Sequence, residues 1–244
     1  MSAVSSTGRP AYPIPPLVEP SRVEVIQTPV GTARAHRWTA APGAVARGRL
    51  VLGHGAGGRS WSPDLLALTA LAGQGWEVVL VEQPWRVAGG KVAAPPARLD
   101  QAWVAVLSAL SVLPALSAPA ESLARDCPPA AAGYDRSRSR LVVGGRSAGA
   151  RVACRTSAAV AADAVLALAF PLHPPGSPER TRGPELAAVT VPVLVVQGRR
   201  DPFGRPEEFT GLIVADTSLI EIDGGHGFGR DLAPMYHAVG DWLE

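Results

Sequence analysis

The chain has 244 residues, 47% of them hydrophobic, with a formal charge of +2. That length and apolar fraction suit one α/β core, and the near-neutral balance argues against nucleic acid or a membrane surface as a partner. No stretch reaches the ~18 apolar residues of a membrane span; Ala164–Phe170, closed by Pro171, has the length of a strand.

Met1–Pro20 is polar and rich in Pro and reads as a loose tail without a signal-peptide pattern, leaving 21–244 as a single domain. Arg22–Thr28 and Thr32–Thr39 alternate like strands, and Arg49–Leu52 is a short apolar strand. Ser62, Pro63 and Asp64 have the types that begin a helix, predicting one over Pro63–Ala72 closed by Gly73. Trp76–Val81 reads as the next strand, Pro84–Pro96 as a loop and Ala97–Leu113 as a helix with one apolar stripe. Ser117–Ser139, rich in Pro, Ala and Arg, is an exposed connection. Strands are expected at Leu141–Val143, Ala164–Phe170, Val191–Gln197 and Ser218–Ile222, with helices over Ala150–Ala162 and Asp231–Leu243.

Gly145-Arg146-Ser147-Ala148-Gly149 stands between a strand and a helix. There, a Gly-x-Ser-x-Gly makes a sharp turn that exposes the serine oxygen above a sheet. The pattern alone is weak in a chain with 26 Gly; two residues downstream in the chain give it weight. Asp201 comes just after the strand Val191–Gln197, and His226 just after Ser218–Ile222. Ser147, Asp201 and His226 thus have the order Ser…Asp…His, each beyond a strand end. Acyl transfer needs these three types: the imidazole takes the hydroxyl proton, and the carboxylate fixes and stabilises the imidazole. Gly53-His54-Gly55-Ala56-Gly57-Gly58 comes after the strand Arg49–Leu52 and offers the second half of such a site. The Ala56 N–H, paired with that of Ala148, would hold the oxyanion. His54 is read as a brace for this loop.

The same loop formally matches the dinucleotide fingerprint Gly53-x-Gly55-x-x-Gly58, with Glu82 at the end of the next strand. The fingerprint requires its third glycine to open the helix, whereas the helix start signals lie at Ser62, beyond Arg59, Ser60 and Trp61. Nucleotide binding therefore ranks below hydrolysis. Lys91 is the only lysine, so the basic residues are almost all arginine. Arg146, Arg199 and Arg200 flank two of the three candidate residues and are candidates for holding an anionic substrate group; His173 is a further candidate at the mouth of the site. Cys127 and Cys154 make neither a disulfide framework nor a metal spacing, which points to a reduced, cytoplasmic setting with no metal and no cofactor.

The stretches His54–Gly58, Gly145–Gly149 and Gly198-Arg199-Arg200-Asp201-Pro202 resemble the alpha/beta-hydrolase superfamily. Pro171-Leu172-His173-Pro174-Pro175-Gly176 resembles a small branch related to dienelactone hydrolases and testis-expressed hydrolase-like proteins. The resemblance runs from about Val23 to the C-terminus. It implies a doubly wound, mostly parallel sheet of about seven or eight strands with helices on both faces, and the roles given above to Ser147, Asp201 and His226. Lids in this superfamily are usually inserted after the sixth strand; here only Pro171–Thr190 intervenes, seven of its residues Pro or Gly, too short for a cap domain. An open site covered by loops suits small acyl substrates. Two functions fit these residues: a serine hydrolase cleaving an ester, thioester or related acyl bond, or a binding or scaffold module on the same fold. The sequence leaves the oligomeric state open.

Overall fold

A computed structural model describes residues 13–40, 43–58, 60–112, 140–212 and 216–244. The connection expected over Ser117–Ser139, with Cys127, lies outside the described residues, as do Arg59 and most of the N-terminal tail; Pro13–Pro20 forms neither helix nor strand.

Eight strands make one sheet: β1 (Arg22–Thr28), β2 (Gly31–Trp38), β3 (Gly48–Gly53), β4 (Trp76–Glu82), β5 (Arg140–Arg146), β6 (Ala164–Leu168), β7 (Val193–Gly198) and β8 (Thr217–Ile222). Their spatial order is β1-β2-β4-β3-β5-β6-β7-β8. β1 pairs antiparallel with β2, and β2 with β4; every pair from β4 to β8 is parallel. The fold class read from the sequence is the one observed.

Helices cover both faces, which explains why the central strands are apolar almost without interruption instead of alternating. Val51, Val79, Val143, Val165 and Val195 point to one face, where they pack with Trp103, Val106 and Leu110 of α3 (Pro96–Val112) and Val152 of α4 (Ala148–Thr156). Leu50, Leu52, Val78, Leu80 and Leu166 point to the other, against Leu65 and Leu68 of α1 (Pro63–Leu68) and Met235 and Val239 of α6 (Ala233–Leu243). Two short helices, α2 (Pro84–Val87) and α5 (Gly183–Ala187), lie in segments read as loops. α5 is five residues long and forms no lid.

Helix ends differ from expectation for local reasons. The helix beginning at Pro63 does have Ser62 at its cap position, but it tightens into a 3₁₀ segment at Thr69–Gln74 and closes on Gly75, at φ 92°, not on Gly73. The Thr69 hydroxyl donates to the Leu66 carbonyl at 2.7 Å, a local bond that competes with the regular helical ladder. α6 begins later than expected, at Ala233, with the Asp231 carboxylate accepting the Ala233 N–H at 3.0 Å.

Candidate active site

The carboxyl ends of the parallel strands carry three loops that converge. β5 passes into α4 at Ser147, whose backbone stands at φ 54° and ψ −111°. This left-handed conformation costs a residue with a side chain on the order of 1–3 kcal/mol. The surroundings enforce it: the Ser147 N–H donates to the Leu168 carbonyl of β6 at 2.9 Å. Close approach explains the flanking glycines. A Cβ at Gly145 or at Gly149 would stand 2.4 or 2.2 Å from the Gly53 carbonyl oxygen, and would push β3 away from this turn.

Asp201 and His226 belong to loops after β7 and β8 that are stitched together. The Arg199 N–H donates to the Ile222 carbonyl at 2.9 Å and the Arg200 N–H to the Gly224 carbonyl at 2.8 Å. Fully buried Phe228 anchors the second loop in the core. The result is one hydrogen-bonded chain: Ser147 Oγ lies 3.0 Å from His226 Nε2, and His226 Nδ1 lies 2.8 Å from Asp201 Oδ2. Asp201 is 1% exposed. Its Oδ1 accepts the Phe203 N–H at 2.9 Å, and Oδ2 also accepts from Gln197 Nε2 at 3.0 Å. With only acceptor oxygens before it, His226 Nδ1 carries the proton, which leaves Nε2 free to accept from the serine hydroxyl. The Phe203 ring lies against the imidazole, centroids 4.4 Å apart. Sequence reasoning misses Gln197; its signal is a polar side chain ending an otherwise apolar strand.

Ala56 and Ala148 line one small recess, together with Gly55, Gly149, Trp85, Leu99 and Trp103. Ala148 is the first residue of α4, so its N–H has no acceptor within the helix. His54 holds the facing loop. Its Nδ1 donates to the Gly55 carbonyl at 2.8 Å, and its Nε2 accepts the Gln83 N–H at 3.1 Å, which fixes a neutral tautomer. Fixing the Gly55 carbonyl also fixes the peptide plane that presents the Ala56 N–H.

Burial holds the pKa of His54 below the ordinary histidine value, and likewise that of His36, whose buried Nε2 has no partner among the described residues. Both groups keep their neutral forms to lower pH in the fold than in the unfolded chain, which protonates near pH 6.5. Stability conferred by their neutral forms is therefore lost as pH falls from about 6.5 toward the lowered values. Urea unfolding between about pH 7.5 and 5 is expected to show this decline, with a flatter slope in His36→Phe; identical slopes in the two proteins would contradict it.

The four other candidates have protein partners. Arg146 Nε donates to Asp64 Oδ2 at 2.8 Å and its Nη2 to the His226 carbonyl at 2.9 Å, so this side chain ties the serine turn to α1 and to the histidine loop. Arg199 pairs with Glu221 at 3.2 Å and Arg200 with Asp223 at 2.5 Å, all four side chains largely exposed. His173 lies between the Pro174 carbonyl at 2.9 Å and Glu208 at 2.8 Å; the carbonyl first, then Glu208, raise its pKa above the ordinary value. Its backbone N–H donates to the Phe203 carbonyl, one layer behind the ring that lies on His226. Cys154 is no rival nucleophile, because burial pushes its thiol up to about 12.

Residues 46–232 match the profile of an alpha/beta hydrolase domain. The chain belongs to the alpha/beta-hydrolase family. No curated protein matches its sequence. Solved structures share the fold at low identity. One is an α/β serine hydrolase without a lid, XC6422 from Xanthomonas campestris, with 19% identity, TM-score 0.66, covering 93% of this chain and 98% of that one. Est1E from Butyrivibrio proteoclasticus gives 15% identity and TM-score 0.69 over 91% and 98% of the two chains. A dienelactone hydrolase from Anabaena variabilis gives 16% and 0.65 over 93% and 98%. Like the first of these, this alpha/beta hydrolase has no lid domain among its described residues, and none of its described helices is long and apolar enough to cross a membrane.

Proposed function

We propose that this alpha/beta hydrolase is a serine hydrolase that cleaves an ester, thioester or related acyl bond of a small substrate. The observation that carries the reading is the Ser147–His226–Asp201 chain, with contacts of 3.0 and 2.8 Å. His226 Nε2 takes the hydroxyl proton as Ser147 Oγ bonds to the acyl carbon. The carbonyl oxygen, now an anion, is held by the N–H groups of Ala56 and Ala148. The proton then passes from His226 to the leaving oxygen or sulfur as that bond breaks, giving an acyl-serine. Water attacks the acyl carbon in turn, giving its proton to His226, and the proton returns to Oγ as the free acid departs. Asp201, buried and held by Gln197 and Phe203, orients the imidazole and stabilises its cationic form.

Arg146 acts in this scheme as a positioning residue, because its guanidinium joins Asp64 to the backbone carbonyl of the base. The reading of a cytoplasmic enzyme that needs no metal or cofactor belongs to the same proposal, supported by chemistry that amino-acid side chains complete unaided and by a buried free thiol at Cys154.

Neutral 4-nitrophenyl esters test the reading. The acetate is expected to be hydrolysed, with short acyl chains favoured over long alkyl chains that a lidless site leaves exposed. Ser147→Ala is expected to reduce turnover by about 10⁴-fold or more. Absence of ester and thioester turnover by the folded protein would favour a binding module instead, and an optimum at long chains would contradict the open site.

A further inference from the structure

Beside the recess under Ala56 and Ala148 lies a groove of about 420 Å³. The turn between β1 and β2 forms one wall; α2 and the first turn of α3 form the others. Gln83, Trp85 and Leu99 line both the groove and the recess, so the two spaces adjoin. The groove's apolar lining includes Val30, Pro84, Trp85, Val87 and Leu99. Its only charged lining residue is Arg98, an exposed side chain on the first turn of α3.

Among the described residues, Arg98 has no acidic partner. In this it differs from Arg146, Arg199 and Arg200, each of which faces a carboxylate of the protein. No Asp or Glu lines the groove. A second guanidinium, Arg86, stacks on the Trp85 ring at 4.3 Å and donates to the Gly90 carbonyl, adding positive potential at the same wall. An apolar trough with a cation at its rim and no anion of its own is complementary to an apolar chain that ends in an anion.

We propose that this groove receives the acyl part of the substrate and that Arg98 recognises a carboxylate at its far end, making the preferred substrate a half-ester or half-thioester of a short dicarboxylic acid. The proposal rests on the serine-hydrolase reading. Its direction comes from the chemistry. The leaving group must depart beside His226 Nε2, which protonates it, and neither the groove nor the recess is lined by any residue of the loops carrying Asp201 and His226. The groove adjoins the recess of Ala56 and Ala148 instead, and is assigned to the acyl part.

The test compares mono-4-nitrophenyl glutarate with 4-nitrophenyl valerate, which share leaving group and chain length and differ in the terminal carboxylate. In the wild-type protein kcat/KM is expected to favour the glutarate ester. In Arg98→Gln the glutarate-to-valerate ratio is expected to fall about tenfold, the worth of one hydrogen bond to a charged group, mainly through KM. Hydrolysis of both esters with a ratio that Arg98→Gln does not change would overturn the proposal and leave the hydrolase reading standing. Failure to hydrolyse either ester would count against the hydrolase reading. Calorimetric titration with glutarate then decides the groove by itself: weaker binding to Arg98→Gln than to wild type supports it, and equal or undetectable binding to both overturns it.

Discussion

Asp201→Asn is expected to lower kcat by about 10⁴-fold while the protein stays folded. The reason lies in the donors around this carboxylate. Oδ2 accepts from both His226 Nδ1 and Gln197 Nε2, and Oδ1 accepts the Phe203 N–H. Asparagine offers one acceptor oxygen and one NH₂ group. With its oxygen toward Phe203, the NH₂ faces His226 Nδ1 and forces that nitrogen to give up its proton, so Nε2 is protonated and cannot take the serine's. With its oxygen toward His226, the NH₂ opposes the Phe203 N–H in a site that water does not reach. Either arrangement disables the base or displaces its support. Steady-state kinetics beside a circular-dichroism spectrum checks this; a kcat for Asp201→Asn within about tenfold of wild type would mean that Asp201 does not orient the base.

The second large effect concerns stability. Arg37→Ala is expected to cost about 3–5 kcal/mol, the usual consequence of stripping a buried ion network of its central cation. Arg37 is 6% exposed and joins three strands at the antiparallel end of the sheet. Its Nη1 donates to Glu24 of β1 at 2.8 Å and its Nε to Glu77 of β4 at 2.9 Å, while Arg49 Nε also reaches Glu77, at 2.5 Å. Without Arg37, Glu24 keeps, among the described residues, only the solvent-facing Arg22, at 3.2 Å. Arg22→Ala, which removes an exposed partner of the same Glu24, should cost no more than about 1 kcal/mol. Thermal scans of the two variants separate the cases: roughly a 10 °C fall in Tm or more for Arg37→Ala against a small change for Arg22→Ala. Equal shifts would contradict a central role for Arg37.

The sheet was legible because both its faces are covered, so the runs at Trp76–Val81 and Val191–Gln197 are apolar almost throughout and bounded by polar or Gly residues. The serine turn was legible for a different reason. Its glycines answer to a backbone carbonyl, that of Gly53, which no side chain could approach as closely. The arginines beside the site were not legible. Sequence places Arg146 next to Ser147, but only the packing of α1 shows that its guanidinium turns to Asp64 and the His226 carbonyl. Arg199 and Arg200 likewise face Glu221 and Asp223, acids brought close by strand pairing and loop stitching. Arg98, read only as part of a helix, gains its interest from α2 and the turn between β1 and β2, distant in sequence, which complete a groove around it. Gln197 and Phe203 became visible in the same way, once the loop after β7 folded over Asp201.

Labelling with an alkyl fluorophosphonate, then intact-mass and peptide analysis, tests the central claim most directly. The reagent phosphonylates a serine only where a base has made it nucleophilic. The expected result is one adduct per folded chain, located on Ser147 and absent from Ser147→Ala of unchanged fold. A folded wild-type protein that takes up no adduct, or an adduct that persists in Ser147→Ala, would contradict nucleophilic catalysis at this turn.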